Sequence, residues 1–210
     1  MTCTEYFDAN AREWDEHPGK RHIASLFAAE LQKNVALATT MNLLEFGCGT
    51  GLVSMELYGQ VACITLLDTS PGMIEVLQEK IAHYAIDNMH PRIGDLSAID
   101  RDKERFDLIY SNMVLHHVTA PIQTLSDLAE LLKPGGVICI GDLETEDGSF
   151  HQGEMAVHHG FDSEQLAASI ANLGLQVEHC YRSHTMQKTD ALGQKRDYPL
   201  FFLQARKTAR

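Results

Sequence analysis

Short apolar runs alternate along this chain with longer amphipathic stretches. LLEF (43–46), ACITLLD (62–68), FDLIYS (106–111) and GVICIGD (136–142) are nearly continuous runs of aliphatic, β-branched or aromatic residues. That is the pattern of strands covered on both faces. Between them the apolar spacing lengthens to three and four. HIASLFAAELQKNVALA (22–38) carries such a stripe and predicts a helix. Ser70-Pro71 opens a second helix over 70–84, serine as the cap and proline at the first helical position. APIQTLSDLAELL (120–132) predicts a third, stopped by Lys133-Pro134-Gly135-Gly136 in a tight turn into the next strand. Asp162, with Gln165 three residues on, starts a fourth that runs to about Leu173. A short helix is expected from Leu52 to about Gly59.

Repeated strand–helix–strand units predict an α/β fold, a mostly parallel sheet with helices on both faces. LQVEHCYR (175–182) and YPLFFLQARK (198–207) follow with no helical pattern between them, so these last two strands are expected to pair antiparallel. Residues 143–161 have no clear period and are expected to form a long loop or flap.

Composition narrows the class. At 210 residues the chain is most simply one domain, 1–210, long enough to bury a full core. With 44% hydrophobic and 22% charged residues it reads as an ordinary soluble globular protein. No apolar run approaches the ~18–20 residues of a membrane span, so no membrane association is expected. MTCTEYFDAN at the N-terminus has neither the basic nor the apolar region of a signal peptide. The five cysteines are odd in number, widely spaced and free of any CxxC, which fits reduced thiols in a cytoplasmic protein. A net charge of -12 argues against nucleic acid, since Arg101, Lys103 and Arg105 alternate with acids rather than forming a basic face.

The candidate chemistry sits where strands end. After the first strand, Gly47, Gly49 and Gly51 form a GxGxG turn. Ligands of open α/β sheets lie beyond the carboxyl ends of the strands, and glycines let backbone approach them closely. The spacing is not the GxGxxG of dinucleotide sites. Asp68 closes the second strand, where a carboxylate can accept both hydroxyls of a ribose. Asp95, in IGDLS, closes the third, where it can accept from an exocyclic amine. The fourth ends in small polar residues, Ser111 and Asn112.

Taken together, LLEFGCGTG, LLDTS, GDL, FDLIYSNMVLHHV and LKPGG resemble, in order and spacing, the motifs of the class I S-adenosylmethionine-dependent methyltransferases, from about Tyr6 to the C-terminus. The resemblance implies a Rossmann-like seven-stranded sheet with an antiparallel last strand. It implies a glycine turn (Gly47, Cys48, Gly49) against the methionine part of the cofactor, with Glu45 holding the amino group. It places Asp68 and Thr69 at the ribose, Asp95 and Leu96 at the adenine, and Ser111 at the end of the fourth strand. Met73 would lean over the adenine or pack in the core. Each acid also has a plainer reading, as a cap for a nearby amide or an ordinary turn residue, and Cys48 reads as a small residue in a tight loop rather than a nucleophile.

Residues 1–20 fit a lid, in which Tyr6, Phe7 and Trp14 cover the cofactor or, alternatively, plug into the core. Eleven histidines cluster as His116-His117, His151 and His158-His159. His158 and His159, in the VHHGF of an HHGF-containing subset of the family, are the first candidates for base or substrate contact, followed by His117. A metal site from His151, His158 and His159 is not expected, because neighbouring histidines rarely point at one ion and no HExxH spacing is present. The expected activity is methyl transfer from S-adenosylmethionine, yielding S-adenosylhomocysteine, to a small, neutral or cationic acceptor, by a monomer or homodimer. A catalytically silent, cofactor-binding regulatory protein is the alternative; an NAD-dependent oxidoreductase is disfavoured by GxGxG.

Overall fold

The computed structural model describes residues 2–151, 157–189 and 194–208. Its strands are β1 (Asn42–Phe46), β2 (Cys63–Asp68), β3 (Met89–Ile93), β4 (Phe106–Asn112), β5 (Leu132–Leu143), β6 (Leu175–Thr189) and β7 (Lys195–Lys207). They form one sheet in the order β3-β2-β1-β4-β5-β7-β6. β1 to β5 pair in parallel, and β7 runs antiparallel to both β5 and β6. This is the seven-stranded, Rossmann-like α/β arrangement expected.

The helices are α1 (Cys3–Asn10), α2 (Pro18–Asn34), α3 (Pro71–His83), α4 (Pro121–Leu131) and α5 (Ser163–Asn172). Leu43, Leu108 and Tyr110 pack on one face of the sheet with Phe27 and Leu31 of α2 and Ile74 and Leu77 of α3. Leu44, Ile109, Ile138 and Ile140 pack on the other with Leu125 and Leu128 of α4 and Leu166 and Ile170 of α5. Successive strand residues therefore each meet a helical layer, which is why these strands lack polar alternation. Each such leucine, fully buried, contributes about 1.5–3 kcal/mol. Strand order reverses between β1 and β4, so the crevice of the fold opens beyond their carboxyl ends.

Several boundaries differ from the sequence expectations. α2 occupies 18–34 rather than 22–38: Pro18 takes the first helical position and Val35 turns extended into the core. In place of a helix from Leu52 to Gly59 there are two 3₁₀ turns, Ser54–Glu56 and Tyr58–Gln60. Ser54 is drawn inward by a buried hydrogen bond and Gly59 interrupts what remains. The Lys133–Gly136 turn lies within β5 as a bulge, five residues of β5 advancing against two of β4 between the Phe106 and Leu108 pairings. β6 and β7 run well beyond the expected 175–182 and 198–207, their pairing carried past irregularities at Val177/His179 and Arg182/His184. Of the flap 143–161, residues 152–156 lie outside the described set. No helix among the described residues is long and apolar enough to cross a membrane.

Candidate active site

The glycine turn follows β1 because the chain must reverse within five residues under a packed loop. Gly47 has φ +73°, and a β-carbon there would lie 2.5 Å from Val114 of the loop after β4. The amides of Gly47 and Cys48 both donate to the Leu67 carbonyl, at 2.8 and 3.0 Å, stitching the turn to the end of β2. Gly47→Ala combines a left-handed backbone with a clash and is expected to cost about 2–5 kcal/mol. Urea unfolding measures this; an unchanged midpoint would contradict the turn as described.

Two carboxylates are aimed along this edge. Asp68 accepts from the Gly49 amide at 2.7 Å and the Ser70 amide at 2.9 Å. Burial pushes its pKa up, while the amides of Ser70, Gly49 and Thr69 and the charge of Asp8 act as smaller influences, the amides downward and Asp8 upward. Thr69 is exposed beside it. Asp95 is exposed and caps a short 3₁₀ turn through the Ser97 amide at 2.8 Å, and its hydrogen bonds to Ser97 hold it below the usual carboxylate range. Leu96 and Met73 are buried next to them, with the Met73 sulfur 3.9 Å from where a Gly49 β-carbon would stand.

Glu45 is placed differently from these two. It is 3% exposed, beneath the turn, where Tyr110 donates to Ser54 and Ser54 to Glu45. Burial pushes its pKa up to about 8, so the carboxyl is protonated at neutral pH. Ser111, also buried, donates to the Phe46 carbonyl at 2.8 Å and locks β4 to the end of β1. Cys48 is buried and burial raises its thiol well above the usual range, so it is a packed thiol and no thiolate.

The N-terminal segment lies across the turn and the start of α3. Asp8 accepts from the Ser70 hydroxyl and the Gly72 amide, and Asp15 accepts from Thr50 and pairs with Lys80 at 2.7 Å. Phe7 packs edge-on against both Trp14 and His117, at 5.4 and 5.3 Å between ring centroids. Lys20 sits 3.1 Å above the Trp14 ring. Phe7 thus links Trp14 of this segment to the histidines.

Beyond β4 the backbone takes a left-handed residue, Met113 (φ +59°), whose amide donates to Gly141. The turn that follows presents His116 and His117. His116 Nδ1 meets Asp142 Oδ1 at 2.5 Å, and both residues are 1% exposed. Asp142 also accepts from the His116 and Leu143 amides. His116 Nε2 lies 2.9 Å from His151 Nε2, and the His117 ring stands 4.1 Å from that of His116. Burial, then the proximity of His116 and His117, pushes His151 down to about 3. His158 and His159 do not join this group. His158 Nε2 donates to the Val118 carbonyl at 3.0 Å, and the exposed His159 stands against Gly148. The amides of Val157 and His158 both donate to the His116 carbonyl, fastening the returning flap to the cluster.

Sequence reasoning thus found His117 but not the unit it belongs to. Asp142 stands one residue before the end of β5, much as Asp68 ends β2, and that repetition of an acid near a strand end was the available signal. Two cation–ring contacts were missed as well: half-buried Lys188 lies over the Phe150 ring and Lys20 over Trp14.

Comparison with known proteins agrees with this geometry. Residues 20–184 match a family described as a methyltransferase domain. An uncharacterized methyltransferase of Schizosaccharomyces pombe is 32% identical over 148 residues, 63% of this chain and 51% of that protein. A ubiquinone biosynthesis O-methyltransferase of Cereibacter sphaeroides is 30% identical over 161 residues, 69% of this chain and 64% of that one. The chain therefore spans about half to two thirds of the length of these relatives. The N-methyltransferase NodS of Bradyrhizobium japonicum, solved with S-adenosyl-L-homocysteine, shares the fold at a TM-score of 0.72 and 17% identity, covering 99% of both chains. With the match extending over most of its length, the chain belongs to the methyltransferase-domain family, whose methyl donor is S-adenosylmethionine.

Proposed function

We propose that the chain transfers the methyl group of S-adenosylmethionine to an oxygen of a small-molecule acceptor, as a single cytoplasmic domain over 1–210. Residues 1–20 act as the lid and 143–161 as the flap. One observation carries this reading: the glycine turn and two aimed carboxylates lie on one side of the crevice, and a held imidazole cluster on the other. The O-methyltransferase names of several relatives support oxygen as the acceptor atom.

The residues fit the cofactor. Asp68, oriented by two amides, keeps lone pairs on both oxygens for a pair of ribose hydroxyls, with Thr69 alongside. Asp95, exposed and charged, can accept from an adenine amine, and Leu96 and Met73 supply the apolar flank. Gly47, Cys48 and Gly49 offer close backbone to the methionine part. Glu45 supports the amino end from below, through Ser54, and Ser111 fixes the strand ends.

The bound cofactor supplies an activated sulfonium methyl. The chain contributes alignment, worth up to ~7–11 kcal/mol when geometry is ideal, and dryness, for which the lid offers the packed Phe7 and Trp14 rings. His117, the imidazole in contact with the lid, is placed to take or hold the acceptor's proton. Asp142 orients His116 as a positioning residue, while His158 and His159 secure the flap and set the shape of the acceptor pocket.

Thermal unfolding with S-adenosylmethionine, S-adenosylhomocysteine or NADH tests the reading. At 100 times its dissociation constant a ligand stabilises by ~2.7 kcal/mol, a shift of roughly 5–10 °C for a chain of this size. Shifts are expected with both sulfur ligands and not with NADH; no shift with either would sink the enzyme reading. Release of S-adenosylhomocysteine with hydroxylated acceptors then separates an enzyme from a silent regulatory binder.

A further inference from the structure

We propose that His116, His117 and His151 form a site for a divalent transition-metal ion of the zinc class, with Asp142 as its outer carboxylate. One ring nitrogen from each histidine can be chosen so that all three lie within 4.8 Å of one another. The closest pair, His116 Nε2 and His151 Nε2, stands at 2.9 Å. Around a tetrahedral zinc, with nitrogens at ~2.0–2.1 Å, ligand atoms stand about 3.3–3.4 Å apart. The set brackets that spacing, with one pair inside it and every pair within 4.8 Å, so the rings turn to meet an ion.

The hydrogen bonding supplies what a ligand set needs. His116 Nδ1 faces Asp142 Oδ1, so Nδ1 carries the proton and Nε2 keeps its lone pair toward the other rings. Carboxylate–imidazole pairing of this kind fixes the tautomer of metal-bound histidines and raises their basicity. Asp142 is itself held by the His116 and Leu143 amides, so the support is rigid rather than incidental. Three imidazoles with no thiolate suit zinc, copper, nickel or iron better than calcium or magnesium. Phe7 against His117 and Phe150 against His116 and His151 give the site a dry wall. The charge of Lys188, over the Phe150 ring, opposes a cation, and the buried charge of Asp142 offsets it.

Three protein ligands leave one position open, as catalytic zinc sites do. An acceptor hydroxyl bound there loses its proton more readily, because the ion stabilises the oxyanion. With the ion bound, that hydroxyl would give its proton to solvent before its oxygen takes the methyl group from the sulfonium, and His117 would act as ligand in place of the base role given above. This role rests on the methyl-transfer reading above; binding of the ion does not.

The test is calorimetric titration of chelator-treated full-length protein with zinc, paired with visible spectroscopy of the cobalt-substituted form. One equivalent of zinc and intense tetrahedral cobalt bands are expected. His151→Ala and His117→Ala should each abolish that stoichiometric site, and Asp142→Asn should weaken it about 10–100-fold. Should Asp142→Asn fail to fold, the two histidine variants decide. Absence of stoichiometric binding, or binding indifferent to both histidine variants, overturns the site. S-adenosylhomocysteine titrated into the same samples keeps the two ideas apart. Cofactor binding without metal binding overturns only the metal site, whereas metal binding without cofactor binding upholds it and sinks the methyl-transfer reading.

Discussion

Asp68→Ala is expected to weaken S-adenosylhomocysteine binding on the order of 10²–10⁴-fold. Hydrogen bonds to a charged group contribute about 1.5–3 kcal/mol each, and the carboxylate is placed to accept two from a ribose. It is oriented before any ligand arrives, by the Gly49 and Ser70 amides, so the mutant loses pre-organisation along with the acceptors. The fold should survive, because Asp68 lies at the rim of the core and α3 retains its own Ser70 cap. Calorimetry on parent and variant measures the change, with circular dichroism as the check on folding. A folded variant that binds like the parent would show that the end of β2 does not face the cofactor.

Glu45→Gln should flatten the stability–pH curve and stabilise the protein at pH 8. The sign follows from the raised pKa. An unfolded glutamate releases its proton near its model value of 4.5, whereas the buried one keeps it up to about 8. Between these values the folded state binds more protons, so stability falls as pH rises, by up to about 1.4 kcal/mol per unit. The full effect is several kcal/mol by pH 8, a large part of a typical folding free energy. Glutamine keeps the hydrogen bond from Ser54 and carries no proton to lose. Urea unfolding of both proteins at pH 5, 6, 7 and 8 gives the comparison. Parallel curves would mean that Glu45 is ionised in the fold. A neutral Glu45 also bears on the cofactor: a ligand ammonium approaching the turn favours the ionised form, so binding should release a proton.

β1, β2, β4 and β5 were legible because their residues are buried toward both helical layers, and three of them end in something chemically distinct: glycines after β1, Asp68 after β2, Ser111 and Asn112 after β4. Less legible was everything that depends on neighbours in space. His158 and His159 look like a pair in sequence, yet adjacent residues project apart, one to the Val118 carbonyl and the other to solvent. His116 and His151 are 35 positions apart and meet only because β4 and β5 lie side by side and the flap returns over them. Glu45 shows the same limit. It stands near a strand end as Asp68 does, and the sequence does not show that Ser54, itself bonded to Tyr110, meets it there. The helix expected after Leu52 failed for a related reason, since Ser54 answers to that buried acid and not to the local period.

Met113 carries one further consequence. A non-glycine residue held at φ +59° costs on the order of 1–3 kcal/mol, which the Gly141 hydrogen bond and the packing of Met113 against the cluster of Leu143, Phe150, Tyr198 and Leu200 offset. Its backbone turns the chain from β4 toward His116 and His117, so the strain sits at the joint between scaffold and chemistry. Evolution for stability alone would put glycine or asparagine there. A methionine at this joint narrows the angles available to the chain and keeps two imidazoles aimed, a case of folding free energy exchanged for precision.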